Sequence, residues 1–285
     1  MISNLSFAAV PPYIPSPKGR GFTAVLINFV WNPVFAFLLA RCFLSRSADL
    51  QIGFMMLMVT PCTDWYLIFT GLARGNTALG SSILPLNLVS QIVLLPVYLL
   101  LFMGEAVSFT PGAVIQSIVL VLVIPMAAAN LFKIGLGKAG GEKEEKKEKE
   151  KIRGNIMKRS DDLQFVLLCC AIITMFASQS GVLLSHLPLF LTAAPPILIF
   201  FALNGPGAFL IGQAWGLPFQ DRVALVFTTS ARNSPVALAI AAVTFPERPV
   251  IGLILVMGPL LELPLLGINA AVLSRLLRPP AASGT

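Results

Sequence analysis

Long runs of apolar residues constrain this chain more than any other feature. About 20 mostly apolar residues are enough for an α-helix to cross the hydrocarbon core of a bilayer. Hydrophobic residues make up 56% of the chain and charged residues only 12%, so a water-soluble fold could not cover this much apolar surface. The sequence therefore predicts an all-α integral membrane protein with eight spans, at 22–44, 50–72, 77–103, 111–135, 162–183, 187–213, 221–244 and 248–277.

The basic residues predict how these spans are oriented. Of the 20 Lys and Arg residues, 16 fall on the side that holds both termini, three fall on the opposite side, and Arg232 lies within a span. Loops rich in Lys and Arg stay in the cytoplasm. We therefore expect both termini to be cytoplasmic, in a multi-pass protein of the plasma membrane. Because the basic residues lie in short loops and one linker, nucleic acid is not an expected partner.

Charge and hydropathy also divide the chain into sections. A cytoplasmic segment, 1–21, precedes a first membrane section, 22–135. A charged cytoplasmic linker, 136–161, separates it from a second membrane section, 162–277, and a cytoplasmic tail, 278–285, follows. The first section is expected to hold three spans of one repeat and the first span of a second repeat.

An internal regularity supports two repeats. Cys62 lies 29 residues before Gln91, and Asn233 lies 29 residues before Glu262. Each pair joins a span with a polar centre to the span that follows it. Matching span order of this kind is typical of inverted-repeat transporters. Since the second half has five spans and the first only three, we expect about eight helices of a ten-helix design, without its first two spans.

Two of the spans have polar centres that contain proline, at residues 60–65 and 228–235. Proline removes a helical hydrogen bond and clashes with the preceding turn. Within lipid, an interrupted helix is tolerated only where it is buried in protein or lines a cavity. The two segments therefore predict discontinuous helices that cross at a binding site near the bilayer centre. Each segment taken alone is also compatible with a simple proline kink.

Polar and ionisable residues in these spans are the candidate site residues. Ionisable groups inside a membrane are costly and are functional candidates for that reason. The expected substrate-binding residues are Cys62, Thr63, Asp64, Arg232, Asn233, Ser234 and Glu262. We expect Cys62 to contact a soft metalloid centre, because thiolate sulfur is a soft ligand. No catalytic residue and no cofactor is expected.

Two pairs of carboxamides form polar stripes on otherwise apolar helices. Asn28 and Asn32 are one turn apart in the first span, and Asn87 and Gln91 are one turn apart in the third. The pairs are expected to line the transport path. Hydrogen bonds between helices are the alternative interpretation.

Three short motifs resemble those of the arsenite efflux permeases of the bile acid:sodium symporter superfamily. They are Pro61-Cys62-Thr63, the run from Thr229 to Ser234, and Gly258-Pro-Leu-Leu-Glu262-Leu-Pro264. The resemblance covers most of residues 22–277. It implies two inverted five-span repeats with crossed helices in a core domain. It also implies an essential cysteine at Cys62, a functional glutamate at Glu262, and exchange of the metalloid against protons.

The chain departs from the usual pattern of these permeases at two places within the site. Thr63-Asp64-Trp65 follows the cysteine where small and apolar residues are common. Arg232-Asn233-Ser234-Pro235 differs from the usual paired-asparagine form. The leading hypothesis is arsenite or metalloid efflux, with Glu262 carrying the coupling proton and Arg232 holding Glu262 or Asp64 when the site is empty.

Other functions stay open at this point. Sodium-coupled symport of an organic anion would use oxygen ligands from Asp64, Asn233 and backbone carbonyls, with Arg232 attracting the anion. A remnant that does not transport is a third hypothesis, and a homodimer is compatible with the sequence. Enzymes are disfavoured, because His186 is the one histidine and Asp64 the one intramembrane aspartate expected.

Overall fold

The computed structural model describes residues 20–63, 65–104 and 184–276, together with isolated positions between 112 and 181. The expected spans 111–135 and 162–183, the charged linker and Asp64 therefore lie outside the described residues, apart from those isolated positions. Within the described ranges the regular structure is helical.

Nine α-helices and one π-helical turn make up this part of the chain, named here in chain order. They are α1 (Arg20–Leu26), a π-helical turn (Ile27–Trp31), α2 (Asn32–Phe43), α3 (Ala48–Val59), α4 (Trp65–Leu72), α5 (Thr77–Met103), α6 (Leu187–Ala214), α7 (Phe219–Ser230), α8 (Ser234–Thr244) and α9 (Pro249–Leu276).

Within the described ranges, four continuous helical segments are long and apolar enough to cross a membrane: Gly21–Phe43, which includes the π-helical turn and α2, and then Thr77–Met103, Leu187–Ala214 and Pro249–Leu276. They coincide with four of the expected spans to within a few residues. The expected spans 50–72 and 221–244 are divided, as their proline-containing centres predict, the first into α3 and α4 and the second into α7 and α8. Side chains cap two of the resulting helix starts, because Ser47 accepts from the Leu50 N–H and Asn233 accepts from the Val236 N–H.

Helix α3 lies at the centre of this arrangement, since every residue from Leu50 to Val59 is buried. Glycine allows α9 to pack closely against it. A Cβ atom at Gly53 would lie 2.8 Å from the Ile251 carbonyl oxygen, and one at Gly258 would lie 2.6 Å from Leu57 Cδ2. This close contact places Glu262, one turn after Gly258, beside the end of α3.

The outer helices carry apolar stripes that match a lipid environment. On α5, Val89, Val93 and Val97 are exposed at four-residue spacing, and on α9 Ile268 and Val272 repeat the pattern. Spacing of three or four residues places side chains on one helix face. Because these outer faces are apolar and the polar residues are buried, the outer helices are suited to contact the hydrocarbon of a membrane.

Candidate functional site

The two interrupted helices meet at their breaks. The Cys62 N–H donates to the Ala231 carbonyl oxygen at 2.9 Å, and the Asn233 N–H donates to the Thr60 carbonyl oxygen at 2.8 Å. These reciprocal bonds form one antiparallel bridge between Pro61 and Arg232. The expected crossing of two discontinuous helices is therefore present. The extended backbone at each break supplies hydrogen-bond partners for the backbone groups of the other break.

Pro61 and Arg232 form the non-hydrogen-bonded pair of this bridge. At such a pair the N–H groups point away from the partner strand. Proline is tolerated there because it has no N–H to lose. The outward N–H of Arg232 donates instead to Glu262 Oε1 at 2.8 Å. Glu262 is thus attached to the crossing through the backbone of Arg232.

The Arg232 side chain is buried and donates to carbonyl groups at the ends of two helices. Its Nε donates to the Ser230 carbonyl oxygen at 2.9 Å, and its Nη1 donates to the Met58 carbonyl oxygen at 2.8 Å. Its Nη2 donates to the Thr229 carbonyl oxygen and, at 3.4 Å, to Asn28 Oδ1. The guanidinium therefore caps the C-terminal ends of α3 and α7.

Three asparagines complete the cap on α7. The Asn28 amide donates to the Thr228 carbonyl oxygen at 3.1 Å. Asn32 and Asn204 both donate to the Thr229 carbonyl oxygen, at 2.9 and 2.7 Å. Sequence reasoning identified Asn28 and Asn32 but missed Asn204. Its position directly before Gly205-Pro206 in an apolar run was the available signal.

Helix α5, the expected third span, also reaches the crossing. Asn87 donates to the Thr228 hydroxyl at 3.2 Å and accepts from the Asn28 amide at 3.3 Å. Tyr98 hydroxyl donates to the Phe29 carbonyl oxygen at 2.6 Å, in the π-helical turn that presents Asn28. A π-helical turn changes the local hydrogen-bond register, so an extra donor stabilises it. Sequence reasoning missed Tyr98, which nothing in the apolar pattern of α5 distinguishes.

Several buried polar atoms at the crossing have no hydrogen-bond partner among the described residues. They are Asn32 Oδ1, Asn204 Oδ1 and Ser230 Oγ, and both amide atoms of Gln91, one turn from Asn87 on α5, also have no partner there. A buried polar group without a partner costs about 1–3 kcal/mol, so native structures keep few of them. Unpaired atoms gathered near two helix breaks are typical of a site that receives a polar ligand.

Four more of the expected site residues, Cys62, Thr63, Asn233 and Ser234, lie at the same place, whereas Asp64 is outside the described residues. Cys62 is buried in an apolar cluster that includes Tyr66, Phe69 and Phe227. The Asn233 amide donates to the Thr63 hydroxyl at 3.2 Å, and Ser234 donates to the Leu255 carbonyl oxygen of α9. Within the described part of the chain, no three His, Cys, Asp or Glu side chains are grouped as metal ligands.

A separate cavity of about 360 Å³ opens where α2 ends, lined by Cys42, Phe43, Leu44, Ser45, Arg46, Ser47, Leu50 and Thr192. Helix α3 rises about 1.5 Å per residue, so this cavity lies roughly a full α3 length from the breaks. Near it, Arg248 pairs with Asp49 at 2.5 Å on the partly exposed end of the fold. The cavity is therefore distinct from the crossing.

Crossed broken helices, a buried polar centre and lipid-facing stripes together define an all-α membrane transporter. The chain belongs to the sodium bile acid symporter family, whose family model matches residues 1–186. That family consists of transporters, in agreement with the expectation that the chain is not an enzyme.

Arsenical-resistance proteins are among the relatives. The chain is 22% identical to the arsenical-resistance protein Acr3 of Corynebacterium glutamicum over 258 residues, covering 85% of this chain and 66% of that protein. It is 24% identical to Acr3 of Alkaliphilus metalliredigens over 282 residues, covering 93% of this chain and 75% of that protein. The chain thus spans 66% and 75% of the length of these two curated relatives.

A third relative is described as sodium-dependent. The chain is 27% identical over 110 residues to the uncharacterized sodium-dependent transporter YocS of Bacillus subtilis, covering 39% of this chain and 34% of that protein.

Proposed function

We propose that this protein exports arsenite or a related metalloid from the cytoplasm. One observation carries the proposal: Cys62 and Glu262 bind the same peptide group, between Ala231 and Arg232, at the crossing of the broken helices. Cys62 supplies a soft sulfur ligand for As(III). Glu262 supplies a carboxylate that can take up and release a proton beside it.

The unpaired polar atoms at the crossing suit the chemistry of this substrate. At neutral pH arsenite is chiefly uncharged arsenous acid, with three hydroxyl groups on one arsenic atom. Those hydroxyls can donate to oxygen acceptors, and Asn32 Oδ1, Asn204 Oδ1 and Ser230 Oγ are acceptors without partners among the described residues. An uncharged substrate also avoids the cost of placing a further charge beside Arg232.

Proton coupling follows from the position of Glu262. The carboxyl is buried and accepts from the Arg232 N–H, while the carbonyl oxygen of the same peptide group accepts from the Cys62 N–H. A proton arriving on Glu262 weakens the bond from Arg232, because an ionised acceptor binds an N–H more strongly than a neutral one. The change reaches the peptide that positions Cys62, so proton and metalloid occupancy become coupled.

The architecture of the whole transporter is part of the proposal. We infer two inverted repeats, about eight helices of a ten-helix design, cytoplasmic termini in the plasma membrane, and Asn28, Asn32, Asn87 and Gln91 along the path. The antiparallel pairing of the two breaks supports this, because inverted repeats bring equivalent broken helices together in opposite directions. A homodimer is compatible with the lipid-facing stripes.

The test uses arsenite-sensitive cells and everted membrane vesicles that contain the protein. The wild type is expected to raise arsenite resistance and to drive arsenite into vesicles when a pH gradient is imposed. Cys62→Ser is expected to abolish both, whereas Cys42→Ser and Cys170→Ser, at exposed cysteines, retain them. Equal resistance in the Cys62 variant and the controls would remove the metalloid role of Cys62.

A second candidate function is sodium-coupled symport of an organic anion, favoured by the match to a relative described as sodium-dependent. Oxygen atoms at the breaks would then hold sodium, a hard cation. Sodium-dependent uptake of an organic anion that is unaffected by Cys62→Ser would support this function over metalloid export. A folded protein that moves neither substrate would support a remnant that does not transport.

A further inference from the structure

The ends of α3 and α7 present carbonyl groups to the crossing. The last carbonyls of an α-helix have no partner within the helix and carry the negative end of its dipole. Met58 is in the last turn of α3, and Thr229 and Ser230 end α7. In broken-helix transporters such carbonyl ends are where inorganic cations are coordinated. The crossing therefore needs a positive charge at this point.

Arg232 supplies that charge from within the chain. Four contacts, to the carbonyl oxygens of Met58, Thr229 and Ser230 and to Asn28 Oδ1, use most of the five N–H donors of its guanidinium. The planar fork donates to both helix ends at once, which a point-like ammonium could do less well. The oxygens that a metal ion would need are thus already occupied by donors.

The planar face of the guanidinium also contacts an aromatic ring. It lies over the Phe200 ring of α6, with 5.3 Å between the guanidinium carbon and the ring centroid. Cation–π contact with a desolvated arginine adds to the hydrogen bonds. Arg232 is only 1% exposed, so a sodium ion entering the same space would face a like charge without water to screen it.

We propose that Arg232 acts as a built-in cation at the crossing, in place of a bound inorganic cation, and that the transporter works without sodium. The proposal concerns the coupling ion of the transporter proposed above. Only the vesicle uptake assay depends on that proposed function, because the unfolding and sodium-binding measurements need no transported substrate. Removing the side chain would leave a site of carbonyl and carboxamide oxygens that an added cation could fill.

The experiment measures thermal unfolding of the purified protein in detergent, in sodium chloride and in choline chloride at equal ionic strength. The wild type is expected to unfold at the same temperature in both salts. Arg232→Ala is expected to unfold earlier in choline and to recover in sodium or in millimolar guanidinium. At sodium about tenfold above its dissociation constant, the recovery should be roughly 2–4 °C.

Arg222→Ala is the matched control. Arg222 stacks on Phe209 and Phe219 and donates to Gln213, away from the breaks. Its loss should lower the unfolding temperature equally in both salts. Should Arg232→Ala fail to fold, Arg232→Lys keeps the charge and is expected to fold without a sodium response, and binding of radioactive sodium to the wild type provides a second measurement.

Saturable binding of sodium to the wild type, or an unfolding temperature of the wild type that rises with sodium but not choline, would overturn the proposal. So would an Arg232→Ala variant that responds to neither sodium nor guanidinium. Arsenite uptake by vesicles that requires sodium counts against it as well. Absence of any arsenite uptake would remove the proposed substrate, while the unfolding and binding measurements would still decide the role of Arg232.

Discussion

Cys62 and Glu262 lie on opposite sides of a single peptide group. The Ala231 carbonyl oxygen accepts from the Cys62 N–H at 2.9 Å, and the N–H of the same peptide, on Arg232, donates to Glu262 Oε1 at 2.8 Å. Because a trans peptide is planar, its C=O and N–H cannot turn independently. A displacement of the carboxyl is therefore transmitted to the backbone that holds the thiol.

The first prediction concerns Glu262→Gln. Glutamine retains an oxygen that can accept from the Arg232 N–H, so the variant should fold with an unfolding temperature close to that of the wild type. It cannot exchange a proton at this position. We expect it to lose arsenite accumulation driven by a pH gradient in everted vesicles and to retain arsenite counterflow at equal pH.

Glu262→Ala serves as the contrasting variant. It leaves the Arg232 N–H without its acceptor, which costs about 1–3 kcal/mol, so both stability and counterflow should fall. Gradient-driven accumulation by Glu262→Gln at the wild-type rate would exclude Glu262 as the proton carrier.

The second prediction compares two carboxamides one turn apart on α5. Gln91 is buried without a partner among the described residues, whereas Asn87 bonds Asn28 and Thr228. Replacing an unsatisfied buried polar group by an apolar one is neutral or stabilising, and removing a satisfied partner is destabilising. Gln91→Leu should therefore unfold no earlier than the wild type while transporting arsenite more slowly.

Asn87→Leu should lower the free energy of unfolding by about 1–3 kcal/mol, because it leaves the Asn28 amide short of an acceptor. Thermal unfolding and vesicle uptake, measured on both variants, check the pair. If Gln91→Leu transports at the wild-type rate, Gln91 has no part in the path.

The third prediction concerns the contact between α3 and α9. A Cβ at Gly53 would lie 2.8 Å from the Ile251 carbonyl oxygen, and a backbone atom cannot move aside as a side chain can. Gly53→Ala should therefore separate the helices and cost about 1–3 kcal/mol, the usual range for overpacking. Since α9 carries Glu262, transport should fall with stability.

Gly267→Ala, on the partner helix α9, is the control, because nothing lies within 4 Å of its Cβ position. It should unfold at or slightly above the wild-type temperature, since alanine favours helix over glycine. Equal stability of the two variants would show that the close contact at Gly53 is relaxed in the membrane.

Much of the crossing could be predicted from the sequence, because its signals are local. Proline beside threonine or serine within an apolar span marks a break, and carboxamides at i and i+4 mark one helix face. Asn28, Asn32 and Asn87 were identified in this way, and all three make hydrogen bonds at the crossing. Their part in transport stays a prediction.

Other features depend on tertiary geometry and could not be predicted. The expectation that Arg232 holds an acidic side chain rested on charge alone. In the structure its N–H reaches Glu262, while the guanidinium donates to carbonyl groups whose exposure depends on where the helices end. Asn204 has no second carboxamide one turn away on its helix, and Tyr98 donates to a π-helical turn that apolar periodicity does not reveal.

The bridge between Pro61 and Arg232 also restricts how such a site can diversify. Side chains on extended backbone alternate between two faces, so adding or deleting one residue in either break would reverse the faces of its extended residues and rotate the helix that follows by about 100°. Cys62 or Arg232 would then be turned away from its present neighbours. Substitutions at Cys62 can change which ligand is bound without altering the backbone. Length changes in residues 60–63 or 231–233 would disrupt the hydrogen bonds of the crossing. Homologues should therefore vary here in residue type and keep the spacing.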